Sequence, residues 1–119
     1  MARTTLTKLV AQGPYPVLPI TAAGLDVVET AADVANKNQF IPSGDDLLIV
    51  HNTGAAAYTV TLTSAPDAQN RTGDITTYSV GIGVIALFRI NSSKGWVQTD
   101  GNVYIEAANA AVKFAVVAL

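Results

Sequence analysis

Between residues 57 and 64 the chain reads Ala57-Tyr-Thr-Val-Thr-Leu-Thr-Ser64, and this stretch narrows the available folds more than any other. Tyr58, Val60 and Leu62 alternate with Thr59, Thr61 and Thr63. A period of two puts the three larger apolar groups on one side of a strand and the three threonines on the other. β-Branched residues also suit a pleated, half-buried surface. The segment is therefore predicted to be a strand with one core face and one wet face. Such a strand needs a second layer to cover its apolar side.

Other segments extend the pattern. Leu47-Leu-Ile-Val-His-Asn52 is an apolar run bounded by Gly44-Asp-Asp46 and Thr53-Gly54, as expected of a strand buried on both faces. Asn52-Thr-Gly-Ala-Ala56 is rich in turn formers, so this run and residues 57–64 are predicted to form an antiparallel hairpin. Val84-Ile-Ala-Leu-Phe-Arg-Ile90 also reads as apolar on both faces. Asn91–Gly95 and Asp100-Gly101 are turn candidates on either side of Trp96-Val-Gln-Thr99. Val103–Glu106 resumes alternation, and Ala111–Leu119 is strand-like to its last residue. Weaker strand candidates are Thr5–Val10, Val17–Ile20 and Leu25–Glu29. Only Thr30–Lys37 hints at helix, with Thr30 placed to cap it and Asp33 near its positive end. Strands at this spacing predict an all-β, single-domain antiparallel β-sandwich, jelly-roll-like. Residues 1–19 form an extended N-terminal arm or first strand, and residues 20–119 the sandwich. Pro14, Pro16 and Pro19 exclude helix near the start and favour an extended course, which suits strand addition to a neighbour.

Composition limits what such a domain can do. Its 119 residues fit one domain. Half of them are hydrophobic and only 13% are charged, against about 25% in typical soluble domains. The mean hydropathy of +0.34 excludes disorder. No apolar stretch of about 18 residues is present to span a bilayer as a helix, and Met1–Val10 lacks the continuous apolar core of a secretory signal. The surface must then be clothed in Thr, Ser, Asn and Ala, or covered by another chain. A net charge of −2 disfavours nucleic-acid binding. Arg3, Lys8, Lys37, Arg71, Arg89, Lys94 and Lys113 form no patch in sequence.

No catalytic, metal or cofactor constellation emerges. The absence of cysteine excludes disulfides, thiolate metal sites and thiol nucleophiles. His51 is the lone histidine and sits in an expected core strand, where a structural role is the ordinary one. The acids Asp26, Glu29, Asp33, Asp45, Asp46, Asp67, Asp74, Asp100 and Glu106 match no calcium loop. Ser43, Ser64, Ser79, Ser92 and Ser93 lie in no nucleophile elbow, and Gly81-x-Gly83 precedes a strand-like run instead of a phosphate-binding helix. Asn70-Arg-Thr72 and Asn91-Ser-Ser93 are chance glycosylation triplets in a chain read without a secretory signal. Trp96 is expected to be a packing residue beneath the Asp100-Gly101 turn. An alternative use of aromatics is a sugar-stacking platform of Tyr78, Trp96 and Tyr104.

The set Leu6-Thr-Lys-Leu-Val10, Gly13-Pro14-Tyr15, Val50-His-Asn-Thr-Gly54, Thr59-Val-Thr-Leu62, Arg71-Thr-Gly-Asp-Ile75, Gly95-Trp96, Asp100-Gly-Asn102 and Val112-Lys-Phe-Ala-Val116 resembles the small capsid decoration (cement) proteins of tailed bacteriophages. The resemblance implies a structural virion protein, made in the host bacterial cytoplasm, that binds the outer capsid surface and bridges neighbouring major capsid subunits. Its implied partners are the major capsid protein and copies of itself, as a dimer or trimer. It implies no nucleic acid, membrane or small-molecule substrate. On this reading Thr4, Thr5, Leu6, Thr7, Lys8, Leu9, Val10 and Tyr15 make the interface, and Val112–Leu119 lies at an interface or in the core. The competing expectations are a carbohydrate-binding or adhesin-type sandwich and a head or tail completion subunit.

Overall fold

Leu48, Val50 and Asn52 point inward from one strand while Leu47, Ile49 and His51 point outward, and the alternation recurs over residues 58–63 and 103–107. The computed structural model describes residues 2–10, 26–65, 73–91 and 95–119. Ten strands form there: β1 Thr4–Thr5, β2 Lys8–Val10, β3 Thr30–Ala31, β4 Asn38–Phe40, β5 Asp45–Asn52, β6 Tyr58–Thr63, β7 Ile75–Val80, β8 Ile85–Asn91, β9 Val103–Ala107 and β10 Val112–Ala118. The described residues contain no helix. One sheet runs β1-β4-β9-β6-β7. The second runs β2-β10-β5-β8, with β3 also on β10.

Phe40, Leu48, Val50, Val60, Leu62, Ile90, Val103, Ile105, Val112, Phe114 and Val116 fill the space between the sheets. The fold is all-β, as the spacing of strands implies. Pairing is mixed, which corrects the purely antiparallel expectation: β1 runs parallel to β4, and β2 parallel to β10. No hairpin ties these first strands to their neighbours, so turn geometry does not dictate their direction. Residues 4–10 run across both sheets. Leu6, between β1 and β2, is buried in the core, and its backbone N–H donates to the Gln39 carbonyl at 2.8 Å.

The hairpin expected from residues 47–64 does not form. β5 pairs with β8 and β10, whereas β6 pairs with β7 and β9. The turn residues carry the chain between sheets. Buried Asn52 fixes this crossing: its Nδ2 donates to the carbonyls of Ala56 at 2.7 Å and Val80 at 2.9 Å, and its Oδ1 accepts from Gly54 N–H at 2.9 Å. Gly54 is required by space, because a Cβ there would lie 2.7 Å from the Tyr58 ring and 2.9 Å from Ala111 Cβ.

The helix expected at Thr30–Lys37 is instead the short strand β3 followed by a turn at 34–36. Asp33 stops it, accepting from Asn36 N–H and from the Thr4 hydroxyl in competition with helical bonding. Residues 26–29 form no strand, while Leu25, Val17–Ile20 and Tyr15 lie outside the described residues. Trp96 is half-buried and packs on the edge of the core beside Val97.

Candidate functional site

The two outer faces differ in chemistry. The first sheet presents Thr5, Gln39, Thr59, Thr61, Thr63, Ser79, Tyr104 and Glu106. On this face Arg3 stacks 4.0 Å above the Tyr104 ring, and Lys37 and Arg3 both approach Glu106, at 3.1 and 3.8 Å. The Tyr104 hydroxyl donates to Asp100. That bond raises the phenol's pKa and lowers that of the carboxyl, since each form is held by the other. The face is polar and its charges are matched.

The second sheet has the opposite character. Cross-strand register places Arg89, Leu47 and Val117 in one row, Leu87, Ile49 and Ala115 in the next, and Ile85, His51 and Lys113 in the third. Leu9 of β2 continues the first row beyond Val117. Six of the nine side chains are apolar and contiguous. Polar pairs close the two ends. At one end Arg89 makes a two-pronged contact with Asp45, at 2.8 and 3.0 Å, which holds the carboxyl below its usual range and the guanidinium above. At the other, His51 Nδ1 lies 2.9 Å from Glu29, anchoring residues 26–30 over the sheet. An apolar centre with a polar rim is the anatomy of a protein-contact surface.

Exposure is concentrated on the β8 side. Ile85 is 56% and Leu87 59% exposed, continuing into Ile82 at 64% and Val84 at 47%. Val84–Ile90 is apolar on both faces but covered on one: Ala86 and Ile90 are buried, while Ile85 and Leu87 meet solvent. The two-sided burial expected of Leu47–Asn52 is likewise corrected, since Leu47, Ile49 and His51 are only half-buried beside the open β8 edge. The β10 side is covered. Ala115 and Val117 are buried there although they face outward. A cavity of about 340 Å³ lies nearby, lined by Thr7, Lys8, Leu9, Val27, Val28 and Ala115 among others.

Among the residues expected from sequence to form an interface, Thr4, Thr5, Thr7 and Val10 are exposed, Lys8 and Leu9 are half-buried, and Leu6 is buried. Lys8 reaches the wholly buried Asp46 at 3.8 Å, whose carboxylate also accepts from the Ser43 N–H at 2.8 Å and hydroxyl. Of these eight, only Leu9 belongs to the apolar outer rows, and Tyr15 lies outside the described residues. The glycan set is not brought together. Tyr78 shares the inter-sheet face with its partner Val60 and meets Phe88 edge-on at 5.6 Å. Tyr104 projects from the opposite side of the same sheet, with Arg3 over its ring. Trp96 packs on the core. Among the described residues no three His, Asp or Glu side chains cluster as metal ligands.

Sequence reasoning missed Leu47, Ile49, Ile85 and Leu87 as surface residues. Their signal was present in the apolar runs Leu47–Val50 and Val84–Phe88, which two-sided burial explained equally well. Comparison with protein-family models, curated proteins and solved structures finds no match.

Proposed function

We propose that the chain is a structural protein of a tailed-phage head that attaches to the outside of the shell and links neighbouring major capsid subunits. One observation carries this reading: the second sheet offers solvent an apolar, polar-rimmed face, while the first sheet is polar and internally charge-matched. Exposed Ile85 and Leu87, with half-buried Leu47 and Ile49 beside them, favour burial against another chain. The fold reading belongs with it. The order β3-β10-β5-β8 facing β4-β9-β6-β7, antiparallel within these eight strands, supports a jelly-roll, with β1 and β2 as additions at one side. In place of a free arm, Leu47 and Ile49 at the centre of the second sheet grip the shell, and Leu9 extends that surface. Binding only the assembled shell would stabilise it by mass action, and repeated copies multiply the effect.

The test is co-sedimentation with expanded, undecorated heads assembled from the major capsid protein encoded alongside this chain. Ile49→Lys is expected to weaken binding at least tenfold. Thr61→Lys, on the polar sheet, is expected to bind as the unmodified chain does. Full occupancy by Ile49→Lys would overturn the assignment of this face.

A further inference from the structure

β8 is the last strand of the second sheet, and among the described residues nothing pairs with its outer edge. The phase of its hydrogen bonding follows from one contact, Asn52 N–H donating to the Val84 carbonyl at 3.1 Å. In an antiparallel ladder this direction alternates, so Val84, Ala86, Phe88 and Ile90 turn their backbone groups toward β5. Ile85, Leu87 and Arg89 then turn theirs to the open edge. The same residues carry the outward side chains, two of them bare aliphatics. Edge strands in stable monomers are ordinarily short, charged, bulged or covered. Here a seven-residue strand carries a single charge, on Arg89, and Asp45 of the same chain already engages it.

We infer that β8 is a dimer seam, pairing antiparallel with β8 of a second copy about a two-fold axis near Leu87. In that register Leu87 faces the second copy's Leu87, and Ile85 lies beside the aliphatic stem of the second copy's Arg89. With each Arg89 paired to its own Asp45, no uncompensated like charge meets at the seam. Ile82, Val84, Ile85 and Leu87 expose on the order of 400 Å² per chain. Two such surfaces, with the backbone of two seven-residue edges, reach on the order of 1,000 Å², the lower bound for a specific interface. The half-buried Leu47 and Ile49 of the two copies would then flank this seam on one continuous outer face. The inference rests on the proposed function only in reading this sheet as a contact face, and its test needs no shell.

The chain has no cysteine, so a single introduced one can form a disulfide only between two chains. Directly opposed residues in a hydrogen-bonded antiparallel pair have Cα atoms about 5.5 Å apart, within disulfide reach. Purified Leu87→Cys, mildly oxidised at about 10 μM, is expected to run almost wholly as a covalent dimer on a denaturing gel, whereas Thr61→Cys forms no covalent dimer. By sedimentation the unmodified chain is expected at twice its 12.3 kDa mass. Leu87→Lys and Ile85→Lys should each raise the dimer dissociation constant at least tenfold, with thermal melts confirming that both are folded. A monomeric or trimeric unmodified chain, or a dimer indifferent to both lysines, overturns the proposal. So does an edge that is protected only when the chain is mounted on heads, which would assign β8 to the shell protein. Loss of head binding by Ile49→Lys with the dimer intact would separate the two readings.

Discussion

Replacing Asn52 with alanine strips three backbone groups of their partners at once. The Val80 carbonyl is the most deeply placed of the three, while the Ala56 carbonyl and Gly54 N–H sit in partly buried surroundings. One fully buried orphan costs about 1–3 kcal/mol, and each of the other two bonds contributes about 1 kcal/mol net, giving roughly 3–5 kcal/mol in all. For a chain of this length each kcal/mol moves the melting temperature by roughly 3–6 °C, so Asn52→Ala should melt about 10–30 °C lower. Thr53→Ala is the matched control in the same crossing. Its hydroxyl donates to the Ala111 carbonyl at 2.7 Å in an exposed setting, where water replaces it at a cost of about 0.5 kcal/mol. Circular dichroism melts and urea titrations of both variants measure the difference. If Asn52→Ala falls within about 1 kcal/mol of the unmodified protein, or matches Thr53→Ala, the buried amide does not hold the two sheets in register as described.

Leu6→Ala should cost about 2–4 kcal/mol in urea titration because it empties a core site between the first two strands. Deleting residues 2–10 should be more damaging still, lowering the melting temperature and not merely trimming a free tail. Trp96→Ala should cost about 2–3 kcal/mol, below the roughly 3–5 of a wholly buried aromatic, because the side chain is only partly buried against the core. A melt unchanged from the unmodified protein would remove Trp96 from the core edge. Acid should destabilise the fold. The Thr4 hydroxyl and Asn36 hold Asp33 below the ordinary carboxyl range, as Arg89, Ser64 and Tyr104 do for Asp45, Asp74 and Asp100. A depressed folded-state value stabilises above the unfolded value and is lost as pH falls through the folded one. Melts should thus show these carboxylates' contribution disappearing below about pH 4, and Asp33→Asn should lessen that loss.

β6 and β9 were legible because each keeps a period of two, while β10, buried on both faces from Phe114 to Ala118, read as a continuous apolar run. β4 is three residues long and too short to show a period. β7 hides its pattern behind exposed threonines, a register shift against β6 and a positive φ of 53° at Thr77. Turn-forming residues at 52–56 announced a change of direction but not its destination. Whether the chain returns along the same sheet or crosses to the other depends on Asn52 reaching Val80, a partner 28 positions away. The candidate surface was hidden for a related reason. A strand such as Val84–Ile90 has the same composition whether its second face meets a helix, another sheet or solvent. Only the neighbours supplied by the fold distinguish these cases.

The passage of residues 4–10 from one layer to the other has a mechanical consequence. At one flank of the sandwich that passage laces the layers together, and at the opposite flank the link from β7 to β8 does the same. With the crossing at residues 52–56 between them, these links tie the two layers together across their width. Force applied through the amino-terminal end should accordingly reach both layers, first through the pairing of β1 with β4 and then through that of β2 with β10.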